Sequence, residues 1–158
     1  MKFTDTLKLV VSVILCQLAG FFGSLFTTPA IPTWYATLRK PFFTPPNWIF
    51  SPVWISLYIL MGISLFFIWR RTDHPKFKMA FIFFFVQLIF NIFWSVTFFG
   101  LKSPLLGLVG IVLLWIAILL AIQNFLKVSK MAGLLLLPYL LWVSFAALLN
   151  FSLWFLNR

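Results

Sequence analysis

Five long apolar runs alternate with short polar or proline-bearing joins along this chain. A spanning helix needs about 20 mostly apolar residues, and the runs at about Leu7–Thr28, Ser51–Trp69, Met79–Phe99, Pro104–Leu126 and Met131–Leu156 reach that length. The predicted fold class is all-α: an integral membrane bundle of five transmembrane helices, one domain over residues 1–158 with no separate soluble part. The joins are a long Trp/Pro-rich segment over 29–50, then RRTDHPKFK, GLKS and KVSK. Ser51-Pro52 and Ser103-Pro104 each put a capping hydroxyl before a proline suited to a first helical turn, so both predict helix starts. Pro138, inside the fifth run, predicts a disturbance near Leu134, whose carbonyl loses its partner.

The first join is the most unusual stretch. WYATLRKPFFTPPNWIFSPVW, Trp34 to Trp54, carries three tryptophans, the prolines Pro41, Pro45, Pro46 and Pro52, the basic pair Arg39-Lys40 and no acid. Proline fixes φ and lacks an N–H, so Pro45-Pro46 cannot sit inside a helix or a central strand. Connections this long without structure of their own are uncommon and usually functional. The expectation is a rigid, non-helical aromatic lid over a site.

Within the runs, polar and aromatic residues fall on single helical faces. Gln87, Asn91, Trp94 and Phe98 recur at helical spacing in the third, and Tyr139, Trp142, Ala146 and Asn150 in the fifth. The second offers Trp54, Tyr58 and Met61, and the first Val13, Gln17, Gly20 and Ser24. Two readings stand. One is packing, with amides bonded across helices and small residues such as Ala19, Gly20, Gly23 and Ser24 letting backbones approach. The other is a pocket for a flat, largely apolar ligand, walled by Trp54, Trp94 and Trp142 with an amide or two to orient it.

Composition narrows the class. Hydrophobic residues make up 63% of the chain and charged residues 9%, too few charges to cover a water-soluble domain. The net charge of +10 does not mark a nucleic-acid binder, because the cations sit at the ends of apolar runs, as in interfacial anchoring. Arg70-Arg71 with Lys76 and Lys78 suits anionic lipid headgroups. One side carries Lys2, Lys8, Arg70, Arg71, Lys76, Lys78, Lys127 and Lys130; the other has Arg39, Lys40, Lys102 and Arg158. That bias places the N-terminus in the cytoplasm and the 29–50 segment outside. Lys2 and Lys8 before an apolar run resemble a signal peptide, but Leu9–Phe26 is long for its apolar core, so the run is read as a retained span. Cys16 is the only cysteine, which excludes an intramolecular disulfide.

Conventional catalysis lacks its parts. His74 is the only histidine, and Asp5 and Asp73 are the only acids, none of them within a span. Acid pairs, Ser-His-Asp sets, phosphate loops and metal-ligand spacings are all missing from the sequence. A tetrapyrrole would have to be held by stacking and shape rather than by an axial histidine. No intramembrane charge is available for a proton-coupled relay.

WYATLRKP, PPNWIFSPVWISLYILMG, NIFWSVTFFG and PYLLWVSFAALLN, in this order from about Leu7 to Asn150, resemble the signature segments of the translocator protein (TspO/MBR, tryptophan-rich sensory protein) family. The resemblance implies a five-helix bundle, usually dimeric, in a bacterial cell membrane, with protoporphyrin IX or a related tetrapyrrole as ligand and no required cofactor. It implies ligand-binding roles for Tyr35, Trp54, Asn91, Trp94, Trp142 and Ala146; Tyr58 and Tyr139 join them from the aromatic faces. Trp54 and Trp142 match tryptophans linked in bacterial relatives to light-dependent porphyrin breakdown, the only catalytic role in view. Many members carry an aspartate where Gly110 stands, and animal members a tryptophan at Leu106. Phe151 and Phe155 replace the tyrosine and arginine of the sterol motif, so cholesterol binding is not expected. The expected function is tetrapyrrole binding, with sensing or photochemical breakdown. Alternatives are a transporter of porphyrin or lipid, and a structural partner of another membrane complex.

Overall fold

The structure is a computed structural model that describes residues 3–158. It contains five helices long and apolar enough to cross a membrane. Helix α1 spans Phe3–Ala30 and widens into a π-helical turn over Ile31–Tyr35. Helix α2 spans Asn47–Trp69, and α3 spans Phe77–Ser95 with a second π-helical turn over Val96–Gly100. Helix α4 spans Pro104–Leu126. The fifth span is broken into α5, Lys130–Leu135, and α6, Leu137–Leu156.

Local chemistry explains several boundaries. Ser103 caps α4 as expected, its hydroxyl accepting the Leu106 N–H at 3.2 Å with Pro104 in the first turn. The break in the fifth span falls at Leu136, two residues before Pro138. There the Leu136 N–H bonds Gly133 O at 3.2 Å, a tightened turn, and Leu140 N–H restarts the ladder on Leu136 O at 3.0 Å. The proline ring cannot pass the carbonyl four residues earlier, so the chain tightens just ahead of it.

The Trp/Pro segment departs from expectation. Trp34 and Tyr35 lie in the helical extension of α1, and α2 starts at Asn47 rather than Ser51. Only residues 38–46 are irregular. Pro46 occupies the N-cap with extended ψ of 142°, so Pro45-Pro46 ends the loop, whereas Pro52 sits inside α2. The bond Pro52 withholds lies near the helix end, where a missing backbone bond costs less than in the hydrocarbon centre. Pro32 similarly falls in the first π-helical turn.

The spans form a ring in the order α1, α2, fifth span, α4, α3, closing on α1. In α4 the buried residues Gly107, Gly110, Leu114, Ala117, Ala121 and Phe125 recur at intervals of three or four, one face of the helix turned inward. Phe125 stacks on Phe84 of α3 at 5.6 Å and 13°. At Gly62 of α2 a Cβ would stand 2.5 Å from Val13 Cα, so glycine is what brings α1 and α2 together. Ser64 Oγ donates to Ala132 O at 2.6 Å and ties α2 to α5. Helix α2 meets α6 only sparsely, and that gap leaves room for a cavity.

The two ends differ in charge. Lys8 Nζ donates to Trp69 O at 3.3 Å and Asp5 pairs with Arg70 at 3.6 Å, so the start of α1 and the end of α2 meet at the strongly basic end. Lys2 lies outside the described residues. At the other end Asn157 binds both backbone groups of Arg39, accepting its N–H and donating to its C=O, each at 2.9 Å.

Candidate functional site

A cavity of about 330 Å³ lies in the half of the bundle near the Trp/Pro segment, enclosed by α1, α2, α3 and α6. Tyr35, Trp54, Tyr58, Asn91, Trp94, Trp142 and Ala146 line it; among the described residues no charged side chain does. Its size falls within the ~300–1,000 Å³ usual for small-molecule pockets. The lining also includes Phe21 and Ile55, 58% and 52% exposed, so the space communicates with the outer surface along the α1–α2 side.

The aromatic walls are tightly organised. Trp54 stacks on Tyr58 at 5.7 Å and 30°, and meets Trp94 at 6.0 Å. Trp94 in turn stacks on Phe98 at 6.0 Å and 20°. Phe50 approaches Trp142 edge-on at 6.1 Å. The two π-helical turns bring Tyr35 to 6.4 Å from Phe98 and 6.0 Å from Phe99. Both π-helical turns carry rings of the cavity wall, and π-bulges are frequent at functional sites.

Hydrogen bonds hold the walls. Tyr58 OH donates to Asn91 Oδ1, and Asn91 Nδ2 donates to Tyr139 OH at 2.8 Å. Trp94 Nε1 donates to Asn150 Oδ1 at 3.2 Å, while Asn150 Nδ2 donates to Pro104 O at 2.8 Å. Gln17 Nε2 reaches Ile55 O at 3.0 Å. The amides are therefore spent on protein partners, contrary to the expectation that one would orient a ligand. Among the described residues, two that line the cavity carry a buried polar atom with no partner: Tyr35 OH and Trp142 Nε1. An unpaired buried donor costs about 1–3 kcal/mol, and because both atoms are closed off from the cavity, a ligand's polar atoms would reach them only after a side-chain movement.

Not every expected residue lines the cavity. Tyr139 is fully buried behind the wall, bonded to Asn91 and edge-on to Trp54 at 6.3 Å. The space beside the Pro138 break thus opens at Trp142 and not at Tyr139. Arg39 and Lys40 do not reach it: Lys40 Nζ folds over the Tyr35 ring at 4.8 Å and donates to Leu38 O at 3.3 Å. The irregular residues 38–46 contribute no lining either; Phe43 packs on Phe145 at 6.3 Å, and Arg39 is pinned by Asn157. From this region the cavity is lined by the helical extension with Tyr35, together with Phe50 and Ser51 at the start of α2.

Some lining residues escaped the sequence reading. Phe50 was hidden by the assumed start at Ser51; from Asn47, Phe50, Trp54 and Tyr58 share one face at intervals of four. Asn150 and Phe98 share the helical faces of Trp142 and Trp94 and also line the cavity, which helical spacing alone does not reveal. Gly110 is buried against α3, where a Cβ would stand 3.0 Å from Thr97 Oγ1 and 3.4 Å from Trp94 Cα. An aspartate there would require the Thr97 side chain to shift by a few tenths of an ångström.

Comparisons with known proteins agree on one family. The family model described as the TspO/MBR family matches residues 12–155. The chain is 49% identical over 155 residues to the Tryptophan-rich protein TspO of Archaeoglobus fulgidus, covering 97% of this chain and 99% of that protein. It is 34% identical over 138 residues to the Tryptophan-rich sensory protein of Cereibacter sphaeroides, covering 85% of each. It is 35% identical over 144 residues to the Translocator protein of Bos taurus, covering 89% of this chain and 85% of that protein.

Proposed function

The chain belongs to the TspO/MBR family of membrane proteins, and on that premise we propose that its cavity binds a porphyrin or another planar, largely apolar tetrapyrrole. One observation carries this reading: indoles from three spans, Trp54, Trp94 and Trp142, face a single uncharged space. A flat ring against indole faces gains about 0.5–1.5 kcal/mol per contact beyond area burial. Tyr35 OH and Trp142 Nε1, both without a partner among the described residues, would be available to the polar atoms of such a ligand once their side chains turn toward the cavity. Charged periphery would not be matched inside, so carboxylates would leave through the exposed α1–α2 side.

In this reading the ligand is sensed or broken down under light, with Trp54 and Trp142 beside the excited ring, and no cofactor is required. The protein acts as a homodimer in a bacterial cell membrane, its N-terminus cytoplasmic and the 29–50 segment outside, following the excess of cations at the Arg70 end. Titration with protoporphyrin IX tests the binding step through quenching of tryptophan emission. The Trp54→Phe, Trp142→Phe double variant, whose other tryptophans still report, is expected to bind about tenfold more weakly, the loss of roughly one full stacking contact. An unchanged dissociation constant overturns the assignment.

The lateral exposure of Phe21 and Ile55 favours a second reading, exchange of the ligand between cavity and bilayer. Saturable binding with flux into proteoliposomes supports transport. Binding with no flux leaves sensing or breakdown.

A further inference from the structure

We propose that the basic end of the bundle holds a second binding site, for the phosphate of an anionic phospholipid. A cavity of about 280 Å³ lies there, lined by Arg70, Arg71, Ser129, Phe67 and Met131. It is at the opposite end of α2 from the aromatic cavity and independent of the reading of that cavity.

The donors are built into the fold. Ser64 fixes α2 to α5 through Ala132 O, which sets Arg70 and Arg71 at the end of α2 across from Ser129 at the start of α5. Arg70 is steadied through Nε by Asp5 at 3.6 Å and lies over the Phe66 ring at 5.5 Å. Among the described residues, no other hydrogen bond or ion pair engages the side chain of Arg70, and none engages that of Arg71. Ser129 Oγ accepts weakly from Ala132 N at 3.4 Å, and its own proton remains to donate. Two arginines and a serine on one cavity offer a phosphate several donors, and guanidinium groups bind phosphate in a multidentate way.

The charge at this end favours an anion, since Arg70, Arg71, Lys127 and Lys130 outnumber the acids Asp5 and Asp73. Asp5 offsets one guanidinium, and Lys127 and Lys130 flank Ser129 in the chain. Phe67 and Met131 supply apolar lining on the same cavity, and Met131 is 55% exposed. A free phosphate would use only the cationic part. A phospholipid would use both, its headgroup on the arginines and its acyl chain along Phe67 and Met131, as expected for basic pockets between spans.

Native mass spectrometry of the full chain released from nanodiscs tests this with three probes: phosphatidylglycerol, phosphatidylcholine of the same acyl chains, and inorganic phosphate. The wild-type protein should retain phosphatidylglycerol at least about fivefold over phosphatidylcholine, from roughly 1 kcal/mol per cation near a headgroup. Arg71→Gln should abolish most of that preference, Arg71→Lys should keep part of it, and Lys102→Gln at the other end should not change it. Millimolar inorganic phosphate should not displace the lipid. Equal retention of both lipids overturns the proposal, as does a preference that survives Arg71→Gln. Displacement by phosphate alone overturns the lipid as occupant. Arg71 is exposed and unpartnered among the described residues, so its variants are expected to keep the wild-type thermal midpoint and tryptophan emission.

Discussion

Asn91 decides whether the polar core of the cavity is scaffold or ligand contact. Its side chain is 2% exposed, accepts from Tyr58 OH and donates to Tyr139 OH at 2.8 Å. Asn91→Leu keeps the approximate volume but strands both hydroxyls. Hydrogen bonds between membrane helices are worth about 0.6 kcal/mol on average and up to about 1.7. Two of them, with two hydroxyls left unsatisfied, give an expected loss of about 1–3 kcal/mol. The assay is reversible unfolding in mixed micelles, followed by tryptophan emission, arranged as a mutant cycle. Because Tyr58→Phe and Tyr139→Phe remove the stranded groups, Asn91→Leu should cost much less in the background of both. The coupling between Asn91 and the tyrosine pair should exceed about 0.5 kcal/mol, the limit for independent sites. A coupling near zero, combined with weakened ligand binding at full stability, would refute the reasoning and make Asn91 a ligand group.

Two other perturbations follow from the geometry. Gly62→Ala places a methyl 2.5 Å from Val13 Cα, a backbone atom that cannot give way alone. It should destabilise the bundle by about 1–3 kcal/mol, and an unchanged unfolding midpoint would contradict the close approach of α1 and α2. Asn157→Ala removes both bonds to the Arg39 backbone, worth about 0.5–1.5 kcal/mol each. Hydrogen exchange over residues 38–46 should accelerate about tenfold or more, while exchange in α4 stays as in the wild type; equal rates would show that the loop is held elsewhere.

The parts of the fold visible in the sequence are those set by length and repetition. The five spans, the Ser103-Pro104 start and the break ahead of Pro138 all follow from run length, capping chemistry and the missing proline donor. The faces carrying Trp54, Trp94 and Trp142 follow from the helical repeat, and the structure brings them to one cavity. What a repeat cannot give is the partner of a polar atom. Asn91 and Asn150 sit on the right faces, yet they bond Tyr58, Tyr139, Trp94 and Pro104 O, residues distant in sequence. The π-helical turns at Ile31–Tyr35 and Val96–Gly100 break the 3.6-residue repeat on which the reading depends. Proline also misled: Pro52 looked like a helix start but lies within α2, which concealed Phe50.

Ala146 is buried and lines the cavity from α6, so Ala146→Phe fills the space from within without removing any of the indoles. The account predicts that this variant, with unchanged oligomeric state and unfolding midpoint, loses at least tenfold in affinity for protoporphyrin IX by fluorescence titration. Wild-type affinity in a folded Ala146→Phe protein would place the ligand elsewhere and contradict the account.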